Sequence, residues 1–103
     1  MQSAFRALAD PSRREILALL RGGSRTSGEI AQHFTTSWAT ISRHLAVLRE
    51  AELILAEREG QFIRYELNTT VFQDVIHHLL GLTNGQSPID GAGDTGGSNP
   101  AEK

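Results

Sequence analysis

Apolar residues recur along the first fifty positions with the spacing of short amphipathic helices. Residues typical of helix starts precede three of these segments. The pair Asp10-Pro11 opens the second helix, Thr26 and Glu29 have the spacing of a capping box at the third, and Ser37 is placed to cap the fourth. The pattern predicts helices over residues 2–8, 11–21, 27–33 and 38–51.

The periodicity changes after residue 52. Residues 53–59 and 62–67 have the apolar runs and alternation of two β-strands, and Gly60 with Gln61 supplies a two-residue turn. Residues 68–70 offer caps for a last helix that continues to about Leu82. The expected fold is mainly α with a β-hairpin wing (α+β), in the order α-α-α-α-β-β-α, which is a winged helix-turn-helix.

The composition changes again near the end of the chain. Residues 84–103 are rich in Gly, Ser, Pro and Asp and contain few side chains to bury, so we expect a disordered tail there. We expect one domain over residues 1–83. A domain of this size buries only about two-thirds of its unfolded surface, so it gains stability from dimerisation.

Charge and cysteine content limit the function classes. The formal net charge is -2, which is not the basic excess typical of nucleic-acid binders. Apart from histidines, however, every basic residue before Lys103 is an arginine, whose planar group binds phosphate or guanine through two hydrogen bonds. The chain has no cysteine, which excludes disulfides, thiolate metal sites and cysteine nucleophiles. No apolar run has the length of a signal peptide or membrane span, so we expect a cytoplasmic protein that contacts no membrane.

The helix that begins at Trp38 has a polar face suited to the DNA major groove. Ile41, Leu45 and Leu48 form its inward stripe, which leaves small and polar side chains outside. The groove, about 12 Å wide, admits one α-helix, whose first residues lie at the base edges. We therefore predict DNA contacts from Ser37, Trp38, Ala39, Thr40, Ser42, Arg43 and His44.

Several residues near this helix have two interpretations. Trp38 could cover the three-helix core or press against the sugar-phosphate backbone, and packing is the favoured interpretation. His44 could be a hydrogen-bonded neighbour of the core or a phosphate contact. Arg13 and Arg14 could meet the DNA backbone or be solvated.

The hairpin carries polar groups near its tip. Arg58, Gln61 and Arg64 are placed where a wing reaches the adjacent minor groove or its phosphates. Glu57 and Glu59 would repel phosphates, so the wing is not uniformly basic. The alternative is a hairpin that only completes the core.

The residues also resemble a known family. The runs ALADPSRREILALL, TSGEIAQHF, SWATISRHLAVLREAELI and EGQFIRYELN are similar, in order and spacing, to the ArsR/SmtB family of bacterial repressors, over about residues 3–82. The stretch GQFIRYELNTTVFQDV looks like the metal-independent SdpR-type autorepressors of that family. The resemblance implies a symmetric homodimer formed by the first and last helices, with Phe5, Leu8, Phe72, Val75, Ile76 and Leu79 at the interface. It also implies repression of transcription from an inverted-repeat operator of double-stranded DNA.

Many members of this family release DNA when they bind metal. One family site needs cysteines, which are absent here. Another uses Asp and His ligands of the last helix, and its spacing is not reproduced by Asp74, His77 and His78. We therefore expect no metal and no cofactor, while binding by those three residues and release by an unknown inducer or protein partner stay open.

Two other classes of function compete with this interpretation. A winged helix can serve as a protein-interaction module without binding DNA. An enzyme is the second, but the sequence has no phosphate-binding glycine loop, no paired carboxylates suited to a pocket and no metal-ligand motif. We expect a DNA-binding repressor and not an enzyme.

Overall fold

The computed structural model describes residues 2–84. It divides into two compact units, of which the first ends at Phe72 and the second begins at Gln73. Of the predicted tail over residues 84–103, all but the first residue lies outside the described residues. Within the described part, no helix combines the length and the apolar character that crossing a membrane requires.

The elements follow the predicted order, with one addition. They are α1 (Gln2–Leu8), α2 (Pro11–Arg21), β1 (Arg25–Thr26), α3 (Ser27–Gln32), α4 (Trp38–Glu50), β2 (Ile54–Glu59), β3 (Phe62–Leu67) and α5 (Thr69–Asn84). The predicted helices and hairpin are confirmed, and no end differs from the predicted one by more than about two residues. The sequence prediction was wrong in having no strand before α3.

That additional strand completes a three-stranded antiparallel sheet in the order β1-β3-β2. Arg25 pairs with Tyr65, and Thr26 pairs with Arg64. A strand of two residues is too short to show alternation, so only its pairing with β3 defines it.

Local hydrogen bonds set the starts of the helices. Asp10 accepts from the backbone N–H of Arg13 at 3.1 Å. At α3 the capping box is complete: Thr26 N–H donates to Glu29 Oε1 at 2.9 Å, and Glu29 N–H donates to Thr26 Oγ1 at 3.2 Å. The bond from Thr26 N–H holds the pKa of Glu29 below its usual value, because it stabilises the carboxylate.

The first unit has one core, formed where α1, α2 and α4 pack on one another and on the sheet. The predicted inward residues of α2 and α4 are confirmed as buried: Ile16, Leu17, Leu20, Ile41, Leu45 and Leu48. Ile30 of α3, Ile54 of β2 and Tyr65 of β3 join them. This packing fixes which side of α4 faces out.

The hairpin turn follows the predicted chemistry. Gly60 has φ 63°, and it is the first of the two loop residues between Glu59 and Phe62. A two-residue hairpin loop needs a positive φ at this position, which glycine adopts without strain. The turn keeps β2 and β3 in register, so alternate side chains of the hairpin lie on opposite faces.

Candidate nucleic-acid interface

The outward face of α4 begins at a capped helix start. Ser37 Oγ accepts from the backbone N–H of Thr40 at 3.3 Å and lies 3.1 Å from its hydroxyl oxygen. Ala39, Ser42 and Arg43 are exposed, and Thr40 is half-buried. These predicted groove-facing residues, unlike His44, therefore lie on the surface of the single chain.

Arg43 is the principal cation of this face. Within residues 2–84, no hydrogen bond or ion pair holds its guanidinium. It borders a shallow groove of about 450 Å³ along α4, lined also by Ala46, Val47, Arg49 and Glu50. Arg49 was not predicted as a site residue, although its charge six positions after Arg43 is visible in the sequence.

Trp38 is 52% exposed, so the ring packs on the protein with only part of its surface and the rest is accessible. It lies one turn before Ile41, the first fully buried residue of α4, so core packing begins only after it. An exposed aromatic ring at the helix start is compatible with the other interpretation, a contact with the sugar-phosphate backbone.

His44 is held by the start of α2. Its Nδ1 lies 3.2 Å from Arg13 Nη1, and its Nε2 lies 3.7 Å from Asp10 Oδ2. Only 13% of its side chain is exposed. The structure thus places His44 as a hydrogen-bonded neighbour of the core, with little surface left for a phosphate.

Arg13 and Arg14, for which contact with the DNA backbone and solvation were both open, bind backbone carbonyls of α1, although Arg13 is only half-buried and Arg14 is exposed. Arg13 Nε donates to the carbonyl of Ala7 at 2.8 Å, and its Nη2 donates to the carbonyl of Arg6 at 3.0 Å. Arg14 Nη1 donates to the carbonyl of Leu8 at 2.7 Å. Both arginines therefore donate to carbonyl groups in the last turn of α1, where the Arg6 carbonyl also accepts from the backbone N–H of Ala9.

Asp10 is charged in this network. Desolvation raises its pKa, but the hydrogen bond from Arg13 N–H, the neighbouring ring of His44 and the charge of Arg13 together lower it by more, so the pKa of Asp10 lies below its usual value. The carboxylate remains ionised at neutral pH and serves both as the cap of α2 and as a neighbour of His44.

The wing has two faces of different charge. Glu57, Glu59 and Arg64 lie on one face, because Glu57 pairs with Arg64 across the strands. Arg58 lies on the other face and is exposed, and Gln61 is exposed in the turn. Two of the predicted wing residues, Arg58 and Gln61, are therefore at the surface near the tip.

Arg64, the third predicted wing residue, is already paired. Its Nε lies 3.0 and 3.2 Å from the two carboxylate oxygens of Glu59, and its Nη1 donates to Ser24 Oγ at 3.2 Å. A phosphate would have to compete with Glu59 for this guanidinium. Phe62, which the sequence analysis did not single out, is 58% exposed beside the turn.

The residues predicted for a dimer interface differ in their exposure. In α1, Phe5 and Leu8 are half-buried. In α5, Phe72 and Leu79 are half-buried and Ile76 is exposed, whereas Val75 is fully buried in the single chain and has no surface to offer a partner. Leu80 and Leu82, which were not predicted, are exposed on α5.

His, Asp and Glu side chains do not form a metal-binding group of three within residues 2–84. Asp74, His77 and His78 are all exposed on α5.

The arrangement of α3, α4 and the β2–β3 hairpin defines a winged helix-turn-helix protein. Residues 10–55 match the sequence profile of the arsR family of bacterial regulatory proteins. The chain is 52% identical over 84 residues to the transcriptional repressor SdpR of Bacillus subtilis, covering 82% of this chain and 93% of that one. This chain belongs to the ArsR family.

More distant relatives agree with this assignment. The arsenical resistance operon repressor of Staphylococcus aureus is 33% identical over 79 residues, which are 77% of this chain and 76% of that protein. A crystal structure of a possible transcriptional regulator for arsenical resistance superposes with a TM-score of 0.71 at 32% identity, over 75% of this chain and 80% of that one. The family resemblance read from the sequence is thereby confirmed.

Proposed function

We propose that this chain is a dimeric transcriptional repressor that binds an inverted-repeat operator in double-stranded DNA. The family and the repressor relatives support regulation of transcription, and regulators of this kind are not enzymes. The observation that carries the proposal is the open N-terminal face of α4, where Ala39, Ser42 and Arg43 are exposed above a buried apolar stripe.

In this proposal each subunit inserts the start of α4 into a major groove. Arg43 pairs with a guanine edge or a phosphate, Ser42 and Thr40 donate hydrogen bonds, and Ala39 permits close approach. Ser37 and Trp38 contact the sugar-phosphate backbone at the helix start. At the wing, Arg58 and Gln61 reach the adjacent minor groove, and Arg64 joins them when a phosphate replaces Glu59.

The dimer is proposed from apolar side chains of α1 and α5. Phe5 and Leu8 come from α1, and Phe72, Ile76 and Leu79 come from α5. A two-fold axis would place the two copies of α4 about 34–36 Å apart, one turn of DNA. Such a dimer, bound near a promoter in the cytoplasm, excludes polymerase. The chain has no cysteine, so repression does not depend on a thiolate metal site.

The test begins with selection of bound genomic fragments by the purified full-length protein. Fluorescence anisotropy then compares the selected operator with a scrambled duplex of the same length over a range of salt concentrations. Affinity should fall steeply as salt rises, because bound phosphates release counterions. The operator should bind at least about a thousandfold more tightly than the scrambled duplex. If the protein selects no genomic fragment and binds duplex DNA only weakly whatever its sequence, it would be a protein-interaction module instead.

A further inference from the structure

Arg13 makes hydrogen bonds to two helices besides its own. Its Nε and Nη2 donate to the carbonyls of Ala7 and Arg6 in α1, at 2.8 and 3.0 Å. Its Nη1 lies 3.2 Å from Nδ1 of His44 in α4. One guanidinium therefore links α1 and α2 to the helix that carries the proposed DNA-reading face.

The hydrogen bond between Arg13 and His44 determines which ring nitrogen of His44 is the acceptor. A guanidinium has only donors, so His44 Nδ1 is the acceptor, and the proton of the neutral ring lies on Nε2. Nε2 in turn faces Asp10 Oδ2 at 3.7 Å, and the same carboxylate oxygen accepts the backbone N–H of Arg13. Both ring nitrogens of His44 thus face groups from the start of α2.

We propose that Arg13 is a positioning residue for DNA recognition: by holding His44 it fixes the orientation of α4 and the direction in which Arg43 points. The inference rests on the DNA-binding function proposed above. His44 directly follows Arg43 and lies one turn after Thr40, so a small rotation of α4 moves both proposed contacts away from the base edges. Recognition groups tolerate displacements of only about 0.5 Å from their productive geometry.

The guanidinium is suited to this task in a way that a lysine is not. Three of its nitrogens donate in three directions at once, whereas an ammonium group is a compact point charge on a flexible stem.

Arg14 provides a matched control. Its Nη1 donates to the Leu8 carbonyl at 2.7 Å, and it has no contact with α4 among the hydrogen bonds and ion pairs of residues 2–84.

The first experiment compares Arg13→Lys with Arg14→Lys in the full-length protein. Anisotropy measures binding to the selected operator and to the scrambled duplex, and urea unfolding establishes that each variant is folded. Arg13→Lys should lower operator affinity about tenfold, the scale of one misplaced base contact. It should leave scrambled-duplex affinity and its salt dependence unchanged, because Arg13 does not touch phosphate. Arg14→Lys should change neither affinity.

The second experiment tests whether Arg13 acts through His44. His44→Ala should reproduce the tenfold loss, and the double variant Arg13→Lys/His44→Ala should lose no more than either single variant. His44→Gln, whose amide oxygen can accept from Arg13, should recover part of the affinity. These His44 variants also test the proposal if Arg13→Lys does not fold.

Three results would overturn the inference. An unchanged operator-to-scrambled ratio in Arg13→Lys would remove the positioning role. Additive losses in the double variant would show that Arg13 and His44 act independently. A salt slope on scrambled DNA that falls by about 1 in Arg13→Gln, which removes the charge that Arg13→Lys keeps, would make Arg13 a phosphate contact. Wild-type protein that does not prefer the operator would instead refute the proposed function, and the inference with it.

Discussion

The guanidinium of Arg64 lies 3.0 Å from a carboxylate oxygen of Glu59 on the neighbouring strand of the wing. The pair is diagonal, since Arg64 is directly opposite Glu57 and Glu59 is directly opposite Phe62. Both side chains are partly exposed, so the pair is of a kind that contributes little to stability. The pair matters for the proposed DNA binding, because the Glu59 carboxylate engages the guanidinium that is proposed to contact a phosphate.

Replacing Glu59 by Gln should therefore strengthen DNA binding. The neutral side chain frees Arg64, and affinity for any duplex should rise about threefold, the scale of one exposed charge pair. The salt slope should steepen by about 1 as one more phosphate is neutralised. Anisotropy titrations at several salt concentrations measure both.

Glu66→Gln is the matched control for this prediction. Glu66 lies on the same face of the hairpin, pairs with Leu55 and makes no ion pair with Arg64 among the described residues. An equal gain in both variants would show that net charge alone is responsible. Arg64→Ala should cancel the gain from Glu59→Gln.

Arg43→Ala should weaken specific recognition without affecting the fold. Arg43 is exposed, so the free energy of unfolding should stay within about 0.5 kcal/mol of the wild type. Loss of a base contact should cost about 1–3 kcal/mol in operator binding. Arg49→Ala, further along the same helix, should cost less. If the two variants weaken operator binding equally, recognition does not reside in the first turns of α4.

Trp38→Ala should cost less stability than the usual removal of a tryptophan. A core tryptophan costs about 3–5 kcal/mol when truncated, but about half of this residue is exposed. We expect a loss of about 1–2 kcal/mol by urea unfolding. Ile41→Ala, three residues on and fully buried, should cost about 2–5 kcal/mol. A larger loss in Trp38→Ala would mean that more of the ring packs on the protein in solution.

The contrast between these two positions shows what the sequence can predict. Apolar periodicity identified Ile41 as buried, and local capping residues such as Asp10, Thr26 and Ser37 located the helix starts. These features depend on neighbours within four positions in the chain. Trp38 is at the edge of the periodic pattern, where the pattern alone does not decide burial.

The features missed in the sequence depend on partners distant in the chain. Strand β1 exists through pairing with residues about forty positions later, and the bond between Arg13 and His44 joins residues separated by 31 positions. The role of Arg13 also depends on backbone carbonyls, which every residue has and which leave no signal in a sequence. The surface positions of candidate residues such as Arg43 could therefore be predicted from the sequence. The residues that form hydrogen bonds with Arg64 and His44 could not.

Ile76→Glu should convert the proposed dimer into monomers. Ile76 is exposed on α5 of the single chain, so the variant should fold. In the proposed interface its charge would be buried without a partner, at a cost on the order of several kcal/mol. Sedimentation should show half the wild-type mass, and operator affinity should fall with it. Ile76→Leu keeps the apolar surface and should stay dimeric. A dimeric Ile76→Glu protein would exclude this part of α5 from the interface.

Glu52→Gly should stabilise the protein at the end of α4. Glu52 has φ 63°, and the bonds from Leu53 N–H to the Leu48 carbonyl and from Glu52 N–H to the Arg49 carbonyl form a Schellman motif around it. A left-handed conformation costs an L-residue about 1–2 kcal/mol, which exceeds the entropic cost of a new glycine, about 0.4–1 kcal/mol. Urea unfolding should therefore show a net gain of about 0.5–1 kcal/mol. Glu50→Gly, at the last residue of α4, removes the same charge where φ is not positive and should instead lose about 0.5–1 kcal/mol. If both variants lose stability, the Glu52 side chain makes a stabilising interaction that outweighs its backbone strain.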